Sequence, residues 1–257
     1  DLAESNLSLQ EKLFRFNQRI IDATLDVAAV YKVQIAYYEA LGIDGLLAYA
    51  QTLKYLREKG ALVIADVKRG DIAKTAEMYA KAHLEGMLEA DFITVNPFMG
   101  MDTLQPYYPY LKTGDKGIFA LVATSNPGAG DIQGIVAADG ESVSEKLGRM
   151  LEREGEQFLG ECGYSAIGAV VGCTNRQQTV RIRQRLPHTF FLIPGYGAQG
   201  GKAEDLKDYF QKGNGGVVNS SRGILLAYRK PEYAGLPFDQ AARAEAIRMR
   251  DEIRNAI

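Results

Sequence analysis

Short apolar runs alternate with helix-like segments along almost the whole chain, and this alternation limits the possible folds more than any other feature. Strands that are separated by helices predict right-handed βαβ units and a parallel sheet. Runs that are apolar throughout, such as Ala61–Ala65, are typical of strands buried on both faces of such a sheet. We predict seven strands, which end near Gln34, Ala65, Val95, Ala123, Gly172, Pro194 and Asn219.

The length and composition favour one large core. The chain has 257 residues, of which 46% are hydrophobic, and no linker-like stretch divides it. A single α/β barrel typically uses about 250 residues. We therefore expect one (β/α) barrel domain that spans residues 1–257.

Charge and apolar patterning exclude several classes of protein. The net charge is -2 and no block of Lys or Arg stands out, which argues against a nucleic-acid surface. No stretch approaches the roughly 20 apolar residues of a membrane span, and the N-terminus has no signal-peptide pattern. We therefore expect a cytoplasmic protein with neither a nucleic-acid partner nor a membrane partner.

The cysteines and histidines offer little material for a disulfide scaffold or a histidine-based metal site. Cys162 and Cys173 are the only cysteines, and we expect each to be a small core residue in a reducing compartment. His83 and His188 are the only histidines and lie far apart in the sequence. We predict a structural role for both histidines.

A cluster of charged residues follows the second apolar run. Asp66 and Lys68 are two residues apart, so their side chains project from the same face of an extended strand. Gly70 permits a sharp turn, and Asp71 stands where the next helix, from Ile72 onward, is expected to begin. A lysine between two carboxylates stays protonated, because nearby opposite charge favours its charged form. Lys68 is therefore a candidate proton donor, although an ordinary salt-bridged loop would show the same pattern.

Lys32 is the one charge in the first predicted strand, Val27–Gln34. A lysine inside a buried run is costly unless it is paired. We expect its partner to be Asp66 on the next strand.

Two segments at the ends of the last two predicted strands favour a phosphate-bearing ligand. One is the glycine-rich turn Gly195–Gly201, whose backbone N–H groups can approach an anion and which includes Gln199 as a further donor. The other contains Arg222, whose guanidinium matches phosphate oxygens in a bidentate fashion. In β/α barrels the loops after the last two strands are the frequent phosphate site. Pro194 and Ser221, at the same two strand ends, are further candidate ligand contacts.

A polar loop follows the fourth predicted strand. Ser125–Gly130 contains two glycines and a proline, and it is of the flexible kind that covers a ligand.

These residues closely resemble the orotidine 5′-monophosphate decarboxylase family, in its bacterial subgroup with a longer loop after the fifth strand. The segment Asp66–Asp71 fits the family signature Asp-x-Lys-x-x-Asp, and Lys32 fits the lysine on the preceding strand. The resemblance covers nearly the whole chain. It implies decarboxylation of orotidine 5′-monophosphate to UMP, the last step of de novo pyrimidine synthesis. It also implies a homodimeric (β/α)8 TIM barrel that needs neither a cofactor nor a metal.

The resemblance further implies a role for each candidate residue. Lys68 would deliver the proton to C6 of the pyrimidine, and Asp66 would lie beside the substrate carboxylate. Lys32 would bond the ribose and hold Asp66, and Asp71 of the neighbouring subunit would complete this charge array. The other implied contacts are Ile72 and Thr75 from that neighbour, Ser125 at the pyrimidine amide, and Gln199 and Arg222 at the phosphate.

The pattern departs from the family at the first strand. An eight-stranded barrel needs one strand more than the seven that we predict. The family's first strand carries an aspartate for the ribose and should precede the opening helix, whose capping box is Ser8–Glu11. We therefore expect that first strand to be missing from this sequence, with a seven-stranded closure as the second choice.

Two other functions fit parts of the pattern. A Mg²⁺-dependent sugar-phosphate decarboxylase or synthase of the same barrel group shares the Asp-x-Lys-x-x-Asp motif. It is expected to carry an acidic residue where this chain has Lys32, and a lysine there would repel the metal. A non-catalytic barrel that binds a nucleotide or a sugar phosphate would need the phosphate loops, but it would not need carboxylates around Lys68.

Overall fold

The computed structural model describes residues 6–173, 176–197, 203–211 and 213–257. Within these residues, seven strands form a parallel sheet and pair in chain order, as the alternation of the sequence predicts. The strands are β1 (Tyr31–Gln34), β2 (Val63–Arg69), β3 (Phe92–Val95), β4 (Gly117–Ala123), β5 (Ser165–Val171), β6 (Thr189–Ile193) and β7 (Gly216–Val218).

Helices connect the strands and close the chain. The longer ones, of ten residues or more, are α1 (Leu9–Thr24), α3 (Gly42–Glu58), α4 (Ala73–Leu84), α7 (Val143–Gly155), α8 (Arg176–Arg185) and α11 (Phe238–Ala256). The short ones are α2 (Ala36–Glu39), α5 (Tyr108–Leu111), α6 (Gly130–Gln133), α9 (Ala203–Leu206) and α10 (Arg222–Leu225). Turns of 3₁₀ helix lie at Gly86–Leu88, Met101–Tyr107, Pro127–Ala129, Glu156–Phe158, Ala227–Arg229 and Pro231–Tyr233. No helix in the described part of the chain is both long and apolar enough to cross a membrane.

Three predicted boundaries were wrong, each for a local reason. The first strand begins at Tyr31 and not at Val27, because the N–H of Val27 donates to the carbonyl of Thr24 in the turn that ends α1. The second strand continues through Arg69, because bonds to the next strand persist beyond Ala65. Helix α4 begins at Ala73, one residue later than predicted.

By its contacts the chain divides into two compact units. The first comprises Asp1–Val67, Lys81–Ile93 and Ser221–Asp251, and the second comprises Lys68–Ala80, Thr94–Ser220 and Glu252–Ile257. The single domain that we expect for residues 1–257 therefore stays a prediction.

The first unit is built around α1, α3 and the first two strands. Apolar side chains of α1 and α3 contribute to its core. Asn17 of α1 donates to the hydroxyls of Tyr38 on α2 (2.8 Å) and Thr52 on α3 (2.9 Å). Helix α11 joins this core through a stacked pair of rings, Phe16 and Phe238, with centroids 4.9 Å apart. The buried side chains include Ile20, Ile21, Ala48, Leu53, Leu56, Val63, Ile64 and Ala65.

A buried carboxylate ties the segment after α10 to α11 in the same unit. Glu245 accepts bonds from Tyr233 (2.8 Å), Lys230 (2.9 Å) and Arg248 (2.7 Å). Burial opposes the ionisation of Glu245, but these donors outweigh it and lower its pKa to about 2. The cluster therefore stabilises the stretch that follows Arg222.

The second unit contains the apolar strands β4 to β7 and a buried arginine. Arg183 is 5% exposed and donates to the carbonyls of Thr189 (2.7 Å) and Gly215 (3.3 Å), at the start of β6 and just before β7. Its guanidinium lies 3.8 Å from the ring centroid of Phe191. Burial lowers the pKa of Arg183 to about 10. These bonds hold together the ends at which two neighbouring strands begin.

Candidate active site

The predicted ion pair between β1 and β2 is confirmed. Nζ of Lys32 lies 2.6 Å from Oδ2 of Asp66, and the two side chains are only 13% and 7% exposed. The register of the two strands explains the contact, because Gln34 is the residue opposite Asp66 and Lys32 is two residues before it on the same face. Pairing is what allows two charges to be buried here.

Lys68 occupies the same strand as Asp66 but has an unusual backbone. Its φ angle is +44°, in the left-handed region that non-glycine residues seldom adopt. The predicted common face of Asp66 and Lys68 assumed an extended backbone at both residues, and that assumption was wrong at Lys68. Such conformations cost about 1–2 kcal/mol and persist where the surroundings enforce them, often at functional sites.

Hydrogen bonds from β3 and the segment after it enforce this conformation. The N–H of Lys68 donates to Oγ1 of Thr94 at 2.9 Å, and Thr94 is 1% exposed. The N–H of Asn96 then donates to the carbonyl of Arg69 at 2.7 Å. A Cβ atom at Gly70 would lie 2.8 Å from the carbonyl oxygen of Asn96, so only glycine fits this close approach.

Asp71 and Ile72 lead into α4. Oδ1 of Asp71 accepts the N–H of Ile72 at 2.8 Å, and Ala73 also has a positive φ of +46°. The side chain of Ile72 is 56% exposed, and Thr75 is exposed as well. Of the predicted contacts to a neighbouring subunit, Ile72 and Thr75 are therefore exposed in the second unit, whereas Asp71 is half-buried.

Two tyrosines, Tyr79 and Tyr107, interact with charged residues of this turn. The guanidinium of Arg69 stands 5.2 Å from the ring centroid of Tyr79. Tyr107 is 2% exposed, and burial raises its pKa to about 12, with Arg69 opposing the shift and Asp71 adding to it. The contact with Tyr79 therefore ties Arg69, within the Lys68–Asp71 turn, to helix α4.

Ser125 follows β4 in the second unit and lies against β5. A Cβ atom at Gly172 would lie 2.8 Å from Cβ of Ser125, so glycine is needed at this contact. The loop after Ser125 is more regular than predicted, because it folds into a 3₁₀ turn and α6. Gln133 at the end of α6 bonds both the backbone N–H and the hydroxyl of Thr124, each at 2.8 Å.

The predicted phosphate residues fall in three places. Pro194 follows β6 in the second unit, where its carbonyl accepts the N–H of Cys173 at 3.1 Å. Ser221 and Arg222 belong to the first unit, and Arg222 is the exposed first residue of α10. Gln199 lies outside the described residues.

The cysteines differ from each other in exposure, and so do the histidines. Cys173 is buried, as predicted, and burial raises the pKa of its thiol to about 11. Cys162 is exposed, so its prediction as a core residue was wrong. His83 is buried, and Nδ1 of His188 lies 2.9 Å from Oε1 of Glu152. Among the described residues, no group of three or more His, Cys, Asp or Glu side chains is arranged to hold a metal ion.

Two polar residues of the site were not identified from the sequence. Gln34 donates to Asp66 at 2.9 Å, and Thr94 accepts the N–H of Lys68. The spacing of Gln34, two residues after Lys32 on one strand, was a usable signal, because both side chains then share a face. Nothing in the sequence around Thr94 distinguishes it from a structural threonine.

Comparison with known proteins gives the same family as the sequence motif. A model described as the orotidine 5′-phosphate decarboxylase / HUMPS family matches residues 11–235. The chain belongs to this family. Members named orotidine 5′-phosphate decarboxylase include that of Clostridium kluyveri, 56% identical over 252 residues, which are 98% of this chain and 87% of the relative. The relative from Clostridium botulinum (strain Langeland) is 59% identical over 243 residues, which are 95% and 85% of the two chains.

A solved structure of the family agrees with the fold. OMP decarboxylase of Leishmania donovani matches with a TM-score of 0.80 and 30% identity, over 98% of this chain and 90% of that chain. The parallel sheet with alternating helices is thus that of a TIM-type α/β barrel, which confirms the predicted fold class. The family assignment is confirmed as well.

Proposed function

We propose that this chain is an orotidine 5′-phosphate decarboxylase that converts its substrate to UMP and CO₂ without a cofactor or a metal. Family membership and the name shared by the relatives from both clostridia support the reaction. The proposed mechanism rests on the buried ion pair between Lys32 of β1 and Asp66 of β2, because β2 also carries Lys68.

The chemistry calls for a fixed positive charge beside one carbon atom. When the bond between C6 and the carboxylate breaks, CO₂ leaves and its bonding electron pair remains on C6 as a vinylic carbanion. Resonance relieves this charge little, so preorganised electrostatics must stabilise it. The ammonium of Lys68 supplies that charge and then transfers a proton to C6, which leaves Lys68 as a neutral amine and gives UMP.

The neighbouring charges orient Lys68. Asp66 attracts the ammonium of Lys68, and Lys32 in turn holds Asp66 and bonds the ribose. Asp71 of a second subunit completes the array. Because the side chains of Lys32 and Asp66 are only 13% and 7% exposed, solvent ions screen their attraction weakly, and this attraction holds Asp66 in place.

Contacts remote from C6 supply the binding energy. Gln199 and Arg222 bind the phosphate, and Pro194 and Ser221 lie beside them. Ser125 forms a hydrogen bond with the pyrimidine amide. Binding energy from the phosphate orients the ring and drives loop closure, so it contributes to the rate as well as to affinity.

A second copy of the chain is the proposed partner. Ile72, Met78 and Phe98 are 56%, 58% and 78% exposed in the second unit. Contact with a second copy would remove exposed apolar side chains of this kind from water, which favours association. In the proposed cytoplasmic homodimer, Ile72, Thr75 and Asp71 reach the partner's substrate.

The test is decarboxylation of orotidine 5′-phosphate by purified protein that has been treated with EDTA. We expect turnover to survive the chelator, and loss of turnover would support the Mg²⁺-dependent alternative instead. Lys68→Ala should abolish turnover and leave UMP binding measurable, because Lys68 acts on C6 and not on the phosphate. Lys74→Ala, at a side chain that is 87% exposed, is the matched control. Tight UMP binding by a wild-type protein without turnover would indicate a binding module.

A further inference from the structure

Gln34 faces the carboxylate of the ion pair across the β1–β2 register. The two strands place Gln34 opposite Asp66. Nε2 of Gln34 lies 2.9 Å from Oδ2 of Asp66, and Nζ of Lys32 lies 2.6 Å from the same oxygen. One oxygen of a buried carboxylate thus accepts from two donors that stand on one face of β1.

The Gln34 amide is held at both of its ends. Its Oε1 accepts the backbone N–H of Ala36 at 3.1 Å. A backbone N–H can only donate, so the oxygen of the amide must be on that side and its NH₂ group must face Asp66. Both the orientation of the amide and its role as donor follow from this contact.

Lys32 and Gln34 constrain Asp66 in different ways. The ammonium of Lys32 is a point charge on a flexible stem, so it attracts the carboxylate without fixing its rotation. The planar amide of Gln34 is anchored to the backbone of α2, so it adds a directional bond. Because it is neutral, it adds no second positive charge to the pair.

We propose that Gln34 is a positioning residue: it fixes the carboxylate of Asp66 in its working orientation while leaving the charge of Asp66 intact. This inference rests on the proposed function in so far as Asp66 acts on orotidine 5′-phosphate. The bond between Gln34 and Asp66 can be tested without turnover, and its effect on the reaction can be tested separately.

The bond itself is tested by NMR of the side-chain amide groups. The Gln34 signal is assigned by its loss in Gln34→Met, or in Gln34→Glu if the first variant does not fold. In Asp66→Ala we expect the Gln34 amide protons to shift and to exchange faster with water, whereas the amide of the exposed Gln51 stays unchanged. A Gln34 signal that does not respond to Asp66→Ala overturns the inference.

The effect on the reaction is tested by steady-state kinetics. Gln34→Met keeps the length of the side chain and removes the donor, and we expect kcat to fall by about tenfold or more, as for loss of a bond to a charged group. KM and the affinity for UMP should change by less than about threefold, since the variant disturbs Asp66 and not the phosphate contacts. Gln51→Met, on the exposed face of α3, is the matched control and should match the wild type.

Gln34→Glu distinguishes a positioning role of the Gln34 amide from a purely steric role of its side chain. Glutamate has the shape of glutamine but places a second carboxylate opposite Asp66, so we expect a larger fall in kcat than in Gln34→Met. Wild-type kcat in Gln34→Glu or in Gln34→Met would overturn the inference while leaving the proposed function intact. An inactive wild-type protein whose Gln34 amide responds to Asp66→Ala would instead refute the proposed function alone.

Discussion

The backbone N–H of Lys68 donates a 2.9 Å hydrogen bond to the hydroxyl of Thr94 on the neighbouring strand. This bond accompanies a φ angle of +44° at Lys68, which β-strand geometry does not provide. The backbone conformation of Lys68, the proposed proton donor, therefore depends on the buried side chain of Thr94.

Replacing Thr94 tests this dependence. In Thr94→Val the shape is kept but the N–H of Lys68 loses its acceptor, and we expect a loss of about 1–3 kcal/mol in the free energy of unfolding. We also expect kcat to fall at least tenfold, because loss of this hydrogen bond also frees the backbone of Lys68 to move. Thr94→Ser retains the hydroxyl and should keep most of the wild-type stability and most of the wild-type kcat. Urea unfolding and steady-state kinetics measure the two effects, and normal kcat in Thr94→Val would contradict the account.

Mixed dimers test the proposed position of Asp71. Lys68→Ala and Asp71→Ala are each expected to be inactive alone. If Asp71 acts in the partner's site, a co-expressed mixture regains about a quarter of wild-type activity, because half of the dimers are hybrids and each hybrid has one intact site. Two differently tagged chains allow the hybrids to be purified and assayed. No recovery in purified hybrids would mean that Asp71 serves its own subunit.

Arg222 offers a test of phosphate recognition. Arg222→Ala should raise KM for orotidine 5′-phosphate by about 10–100-fold, the loss expected for charge-assisted hydrogen bonds. Orotidine, which lacks the phosphate, should be processed equally by the variant and the wild type. Arg229→Ala, an exposed arginine next to Tyr228, is the control. An equal effect of Arg222→Ala on both substrates would show that Arg222 does not bind the phosphate.

Glu245 predicts a defined acid sensitivity. Its pKa is lowered from 4.5 to about 2, so its stabilising effect is complete above pH 4.5 and is lost as the pH falls towards 2. The lost contribution is at most about 3 kcal/mol. Glu245→Gln should be less stable at pH 7, because Arg248 and Lys230 lose their counter-charge. Its free energy of unfolding should then fall less than that of the wild type between pH 5 and pH 2.5. Parallel pH curves would rule out this linkage.

Several features were predictable because local pattern sets them. Hydrophobic periodicity was enough to predict the alternating strands and helices. The capping box predicted at Ser8 is also present, and α1 begins there with hydrogen bonds between Ser8 and Glu11. The pair of Lys32 and Asp66 was predictable too, because a buried lysine requires a carboxylate and the adjacent strand carries one. In contrast, exposure of Cys162 could not be read from its residue type.

The sequence by itself determined the family, the order of the strands and the residues that carry charge, since these depend on composition and spacing along the chain. Only the tertiary structure decided the backbone conformation of Lys68 and the contacts of Gln34 and Thr94. Each of these requires a hydrogen bond near 2.9 Å between neighbouring strands. A shift in strand register by one residue would turn the side chains to the other face, and local periodicity does not specify register so closely.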